Sequence, residues 1–224
     1  MYRKQFYLPS EDGFVQAVIR NYTKEDFDEL IAIQSESFPP PFPPELWWNK
    51  EQLTEHVTRF PQGALCVEIN GTLAGSMTGL IVQLDRYDTH HTWAEITDNG
   101  YIRNHNQNGN TLYVVDICIR PSFRKLKLGK HLMQAMYDVV LHLNLERLAG
   151  GGRMPGYHTV ASQLTPEQYL QRVVTGTLYD PVITFLLHCG RTPVGIAQNY
   201  LEDEESQNYG VIMEWRNPFL PTKN

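Results

Sequence analysis

The chain has 224 residues, 42% hydrophobic and 20% charged, and a formal net charge of −6. That is enough for a full hydrophobic core, and the acidic total argues against general nucleic-acid binding. No apolar run reaches the ~20 residues of a membrane helix, and the N-terminal stretch has no signal-peptide core. Cys66, Cys118 and Cys189 are scattered without CxxC spacing, as buried thiols in a reducing compartment are, so a cytoplasmic location is expected. No repeat or linker divides the sequence, and one domain over residues 1–224 is expected.

"FVQAVIR" reads as a strand from its β-branched and aromatic content. Thr23 is placed to cap a helix in which Phe27, Leu30, Ile31 and Phe38 recur at helical spacing, and "PPPFPP" stops it. "PELWWNKEQLTEHVTRF" reads as a second helix opened by Pro44, with Trp47 and Trp48 expected as helix-packing aromatics over the alternative of lining a pocket. Asn70-Gly71 joins "ALCVEI" to "TLAGSMTGLIVQL" as a hairpin. Residues 85–109 are a long polar excursion, which in a compact domain is functional or mobile. Its Asp85, Asp88, His90 and His91 have metal-ligand chemistry but no second cluster beside them, so a solvated loop without metal is expected.

"LYVVDICI" is an almost continuous apolar run, expected to be a strand buried on both faces, and Pro121 ends it. From Leu128 a helical stripe follows through Leu132, Ala135, Met136, Val139 and Leu143. "ERLAG" is a short strand, and "GGGRMPGYH" an unusual loop. Thr165-Pro166-Glu167-Gln168 is a capping box for "PEQYLQRVVTG". Asp180-Pro181 opens "PVITFLLHC", which Gly190 closes. "PVGIAQNYL" and "YGVIMEW" finish as an antiparallel pair around the acidic "EDEES". This order is mixed α/β, with hairpins and helical crossovers.

Against the acidic total, Arg124, Lys125, Lys127 and Lys130 crowd the turn between the apolar strand and its helix. Free N–H groups at a helix start, a dipole of about half a positive charge and these full charges suit a pyrophosphate. The strand ending in apolar-x-Pro, then R-x-x-x-x-G opening a helix, resembles the central motif of the GNAT superfamily of acyl-CoA-dependent N-acyltransferases. Arg124 and Gly129 match that motif's first and last positions, while Lys127 stands where a glycine is usual. The element order over residues 14–217 is similar as well. "GGGRMPGY", "DPVITFLLHCG", "NYLEDEES" and "MEWRN" resemble most the acetyltransferase domain found fused to nitrilase-type carbon–nitrogen hydrolases.

The resemblance implies a mostly antiparallel central sheet flanked by helices, with a splayed strand pair at the coenzyme site. It implies acetyl-CoA as co-substrate, an amine acceptor, no metal, and a monomer or homodimer. Ile117, Cys118 and Ile119 would hold the pantetheine arm, and the Ile117 N–H would face the thioester carbonyl. Arg124, Lys125, Leu126, Lys127, Leu128, Gly129 and Lys130 would hold the pyrophosphate. With no histidine near Cys118, direct attack by the acceptor is expected over an acyl-enzyme. Asp116, the one charge in the buried strand, is the candidate general base, with a purely structural role as the alternative; Glu95 stands second. Many relatives place a proton-donating tyrosine where this chain has Leu186, which leaves Tyr179 or Tyr200 as candidate acids. Arg153 and Tyr157 are candidates for gripping an acceptor carboxylate, and residues 202–205 for attracting a cationic amine. An acyl-CoA-binding regulatory module with reduced catalysis is the alternative function, motivated by Lys127 and Leu186.

Overall fold

A computed structural model describes residues 1–11, 13–85 and 88–220. Eight strands form one sheet in the order β1-β2-β3-β4-β5-β6-β8-β7. They are β1 (Arg3–Ser10), β2 (Gly13–Asn21), β3 (Ala64–Ile69), β4 (Thr72–Val82), β5 (Thr111–Ile119), β6 (Arg147–Arg153), β7 (Thr192–Ala197) and β8 (Gly210–Arg216). Every pairing is antiparallel except β5 with β6. This is the mixed, mostly antiparallel sheet that the sequence led us to expect. β1 is an addition: it is mostly exposed, with only Phe6 and Leu8 alternating inward onto the core, and it is held by its hairpin with β2.

Helix α1 (Phe27–Ser37) follows a short 3₁₀ turn that Thr23 caps, and it buries Phe27, Leu30, Ile33 and Gln34. The expected second helix is shorter than its sequence pattern. Pro44 opens only a 3₁₀ turn, and α2 (Lys50–Arg59) begins after Asn49, whose side chain accepts from Gln52 N–H in a capping box. The polar excursion contains α3 (Trp93–Thr97), capped by Thr92; residues 86 and 87 of that excursion lie outside the described residues. α5 (Pro166–Val174) and α6 (Pro181–His188) form where their caps predict.

Helix α4 (Leu128–His142) turns its apolar stripe onto the sheet, packing across β3, β4, β5 and β6. Leu128, Leu132, Met133, Met136 and Val140 are fully enclosed there, each burial worth roughly 1.5–3 kcal/mol. β5 is less symmetrical than expected. Residues 111–115 are buried, whereas Asp116, Ile117 and Ile119 are only half-buried. Its pairing with β6 explains why: only Thr111, Leu112 and Tyr113 meet Arg147, Leu148 and Ala149. Beyond Tyr113 the two strands diverge. An extra residue, Val115, bulges from β5 against Thr78 and Gly79 of β4, bending the strand at the same level.

Candidate functional site

The divergence of β5 and β6 opens a cleft of about 860 Å³. Val114 to Ile119 of β5 form one wall, and Gly151, Gly152 and Arg153 of β6 the other. Side chains alternate across β5. Asp116 and Cys118 point to Gln34 of α1, while Ile119 lies under Gly129 at the start of α4. Phe38, Trp48 and Trp93 add aromatic surface, and Val182, Phe185 and Leu186 of α6 close the far side. The three glycines of β6 give the cleft its depth. A Cβ on Gly151 would stand 2.1 Å from the Tyr200 ring, and one on Gly152 would stand 2.7 Å from Leu186.

The basic turn lies at one end of this cleft. Arg124, Lys127, Gly129 and Lys130 line it. Lys125 does not line it; it is exposed and pairs with Glu11 at 3.3 Å. Leu126 is half-buried against the core and Leu128 is wholly inside it, so neither of these two expected coenzyme residues is in the cleft lining. Arg124 donates from Nη2 to Ser37 O at 3.1 Å and from Nε to Ile119 O at 3.3 Å, which ties the turn to α1 and β5. Lys127 caps α4 with φ 55° and ψ 28°, the left-handed conformation that glycine adopts freely. The lysine thus takes the backbone shape that the motif reserves for glycine, with its side chain exposed.

Asp116 sits midway along the cleft. Its Oδ2 accepts from Gln34 Nε2 at 2.7 Å. Burial pushes its pKa up to about 7, against the restraint of hydrogen bonds from Cys118, Gln34 and the Ile117 N–H. A carboxyl held near that value has a proton affinity suited to general base chemistry near neutral pH. Gln34 was missed from sequence, although a lone amide in the Phe27–Leu30–Ile33 stripe was a legible signal. Cys118 is buried, 3.4 Å from Ser76 Oγ, and burial raises its thiol pKa well above the ordinary value. A thiol held protonated is a poor nucleophile.

The two tyrosine candidates separate sharply. Tyr179 stands on the rim, 72% exposed. Tyr200 is buried in the cleft floor, with its hydroxyl 2.9 Å from that of Tyr113 and accepting from Gly151 N–H at 3.2 Å. His91 Nε2 lies 2.9 Å from the Tyr113 hydroxyl, so the polar excursion contributes to this floor. Burial raises Tyr200 to about 12, so it keeps its proton. Leu186 is indeed in the cleft wall, where a tyrosine would have offered a hydroxyl.

The remaining candidates are engaged elsewhere. Arg153 lines the cleft, but its Nε and Nη2 form a fork with Asp203 at 2.8 and 2.7 Å, and Nη2 also meets Glu205 at 2.9 Å. Its charge is already answered twice. Tyr157 is buried outside the cleft lining, and its hydroxyl donates to Leu164 O at 3.0 Å. Glu95 accepts from Thr92 N–H and Oγ1 in the capping box of α3, also outside that lining. Among the described residues, no group of three or more His, Cys, Asp or Glu is placed to hold a metal ion.

The family model "Acetyltransferase (GNAT) family" matches residues 27–155. A Bacillus subtilis protein described as "Uncharacterized N-acetyltransferase YkwB" is 53% identical over 216 residues, 96% of each chain. The "Probable hydrolase YhcX" of the same organism is 39% identical over 91% of this chain, which spans only 39% of that longer protein. Among solved structures, the GphF GNAT-like decarboxylase in complex with isobutyryl-CoA superposes with TM-score 0.74 at 22% identity, covering 88% of this chain and 98% of the other. PaiA N-acetyltransferase from Thermoplasma acidophilum, in complex with coenzyme A, superposes with TM-score 0.53 at 15% identity, covering 90% and 99%.

Proposed function

The chain belongs to the acetyltransferase (GNAT) family, and we propose that it transfers an acetyl group from acetyl-CoA to a primary amine by direct attack. The observation that carries this reading is the parting of β5 from β6 after Tyr113, with the cationic turn at one end of the gap and Asp116 within it. From Val114 onward β5 has no strand on its β6 side among the described residues, so its backbone can pair with an extended, amide-bearing arm as a further strand would. The start of α4, with Arg124, Lys127 and Lys130, suits a pyrophosphate.

When bound, acetyl-CoA supplies the acetyl group as an activated thioester. The chain's own residues then have three tasks. The Ile117 N–H, which donates to Asp116 in the unliganded cleft, turns to the developing oxyanion when the acyl group is bound; one such donor is worth about 3 kcal/mol. Asp116, with Gln34 fixing its carboxylate, removes the acceptor's proton directly or through water. An amine of pKa about 10.4 is only ~0.1% neutral near pH 7.4, a deficit of roughly 4 kcal/mol that this base offsets. Tyr200, buried and protonated, is the better placed of the two tyrosines to meet the leaving thiolate; Tyr179 faces solvent.

Buried Asp203 and half-buried Glu205, which stand behind Arg153 rather than in the cleft lining, outnumber its single charge and so favour a cationic acceptor beside that wall. The match to part of the longer YhcX fits the reading of this chain as an acetyltransferase unit of the kind also fused to hydrolases. A second reading, a module that binds acyl-CoA with little turnover, rests on Leu186, which offers no hydroxyl. Native mass spectrometry of freshly purified protein tests the coenzyme, and acetyl transfer across an amine panel tests the chemistry. A co-purified CoA species with turnover is expected. Binding without turnover on any amine would favour the module, and absence of binding would refute both.

A further inference from the structure

Among the described residues, Arg191 is a buried cation without a counter-ion. It follows Gly190, the left-handed residue that ends α6, and only 3% of it is exposed. Both of its hydrogen bonds leave from Nη2, to Gly150 O at 3.1 Å and to Met213 O. Its Nε is buried with no partner among the described residues. Among the described residues no carboxylate lies within ion-pair distance of it. The other part-buried arginines are treated differently. Arg20 meets Asp26 and Glu68, Arg120 meets Glu29 and Glu36, Arg147 meets Glu214, and Arg153 meets Asp203 and Glu205.

Guanidinium does not deprotonate in proteins, and an uncompensated buried charge is costly. A fold that matches its other arginines with carboxylates leaves this one open where it lines the cleft. Its position is specific. Gly150, which Arg191 touches, is the first β6 residue beyond the pairing with β5, so Arg191 stands at the deep end of the splay, opposite the basic turn. Gly150 and Gly152 face Arg191 and α6, whereas Gly151 faces Tyr200, which puts the guanidinium on the α6 side of β6. The surrounding groups are Tyr113, Tyr137, Tyr200 and Cys189, which supply apolar surface and hydroxyls but no ordinary counter-charge.

We propose that Arg191 is a specificity residue whose missing counter-ion is a carboxylate carried by one of the two substrates at the deep end of the cleft. The carboxylate belongs either to the acyl group of a dicarboxylic acyl-CoA or to the amine acceptor. The inference rests on the acyl-transfer reading of the cleft. It also supersedes Arg153 as the carboxylate grip, since that guanidinium is already paired.

Calorimetry with unmodified protein compares succinyl-CoA with butyryl-CoA, which share a four-carbon acyl chain. Steady-state acetyl transfer compares amino acids with their amides. A carboxylate preference of about 10- to 100-fold in one of the two pairs is expected, the usual worth of charge-assisted hydrogen bonds. The pair that shows it identifies the source. In Arg191→Gln the preference should disappear while acetyl-CoA affinity stays within about threefold; if that variant unfolds, the unmodified-protein comparisons still decide. Succinate alone should raise the melting temperature of the unmodified protein more than 1,4-butanediol does. Equal binding within the first pair, equal KM within the second and no succinate protection together overturn the inference. If acetyl-CoA itself fails to bind, the acyl-transfer reading falls, and succinate protection alone then decides for or against the carboxylate subsite.

Discussion

Replacing Asp116 by Asn separates a base from a structural carboxylate, and the folded-state pKa of about 7 gives the test a sign. The same group titrates near 3.9 in an unfolded chain. Between about pH 4 and pH 7 the native state therefore keeps a proton that the unfolded state has lost, and stability falls as pH rises through that window. Three pKa units correspond to about 4 kcal/mol, an upper bound because Asp116 retains some contact with the cleft. Asparagine mimics the protonated acid and keeps one hydrogen bond with Gln34. Asp116→Asn should thus match the parent in stability near pH 4 and exceed it at pH 8 by up to a few kcal/mol. Acetyl transfer should move the other way, falling about 10²- to 10⁴-fold. The parent's kcat/KM should rise with an apparent pKa near 7, and the variant should lose that step and follow the free-amine fraction instead. Denaturant melts at the two pH values and a pH–rate profile make the check. A variant that is less stable than the parent at pH 8, or that keeps the parent's rate profile, refutes the base.

Arg124→Glu should weaken acetyl-CoA binding at least tenfold by calorimetry, whereas Lys125→Glu, outside the cleft, should change it by less than about threefold. Tyr200→Phe should lower kcat while Tyr179→Phe leaves it nearly unchanged; full activity in both would remove tyrosine from the proton-transfer step. Tyr200→Phe should also cost about 1–3 kcal/mol in a urea melt, because the Gly151 N–H loses its acceptor. Lys127→Val should destabilise by about 1–2 kcal/mol and Lys127→Gly should not, since only the branched residue resists φ 55°. Equal melting of the two would mean that the turn relaxes out of that conformation.

The sheet and most helices were legible because their signals are local. Asn70-Gly71, the capping box at Thr165 and the Asp180-Pro181 start each specify an element within a few residues. β1 was not legible, because its stability comes from register with β2 rather than from its own pattern. The helix assigned from Pro44 began late because Asn49 offers a better cap than the proline does. Asp116 stood out in the sequence as one charge in an apolar run. Its proton affinity did not, since that depends on desolvation and on Gln34 from another element.

Arg191 and Arg153 show where sequence reasoning on charge stops. The triple glycine and the acidic "EDEES" drew attention to Arg153, yet those same acids neutralise it in the folded chain. Arg191 carries no motif; its isolation exists only once Gly150 and Met213 offer carbonyls where other arginines find carboxylates. The formal −6 of the whole chain is equally uninformative at the site. Charges more than a Debye length away, about 8 Å at physiological ionic strength, are largely screened by salt. On the proposed reading, a polyanionic coenzyme would therefore meet the turn around Arg124, Lys127 and Lys130 rather than the average surface. Binding through that turn should weaken as salt rises, whereas a carboxylate held at the dry Arg191 end should be far less sensitive to salt.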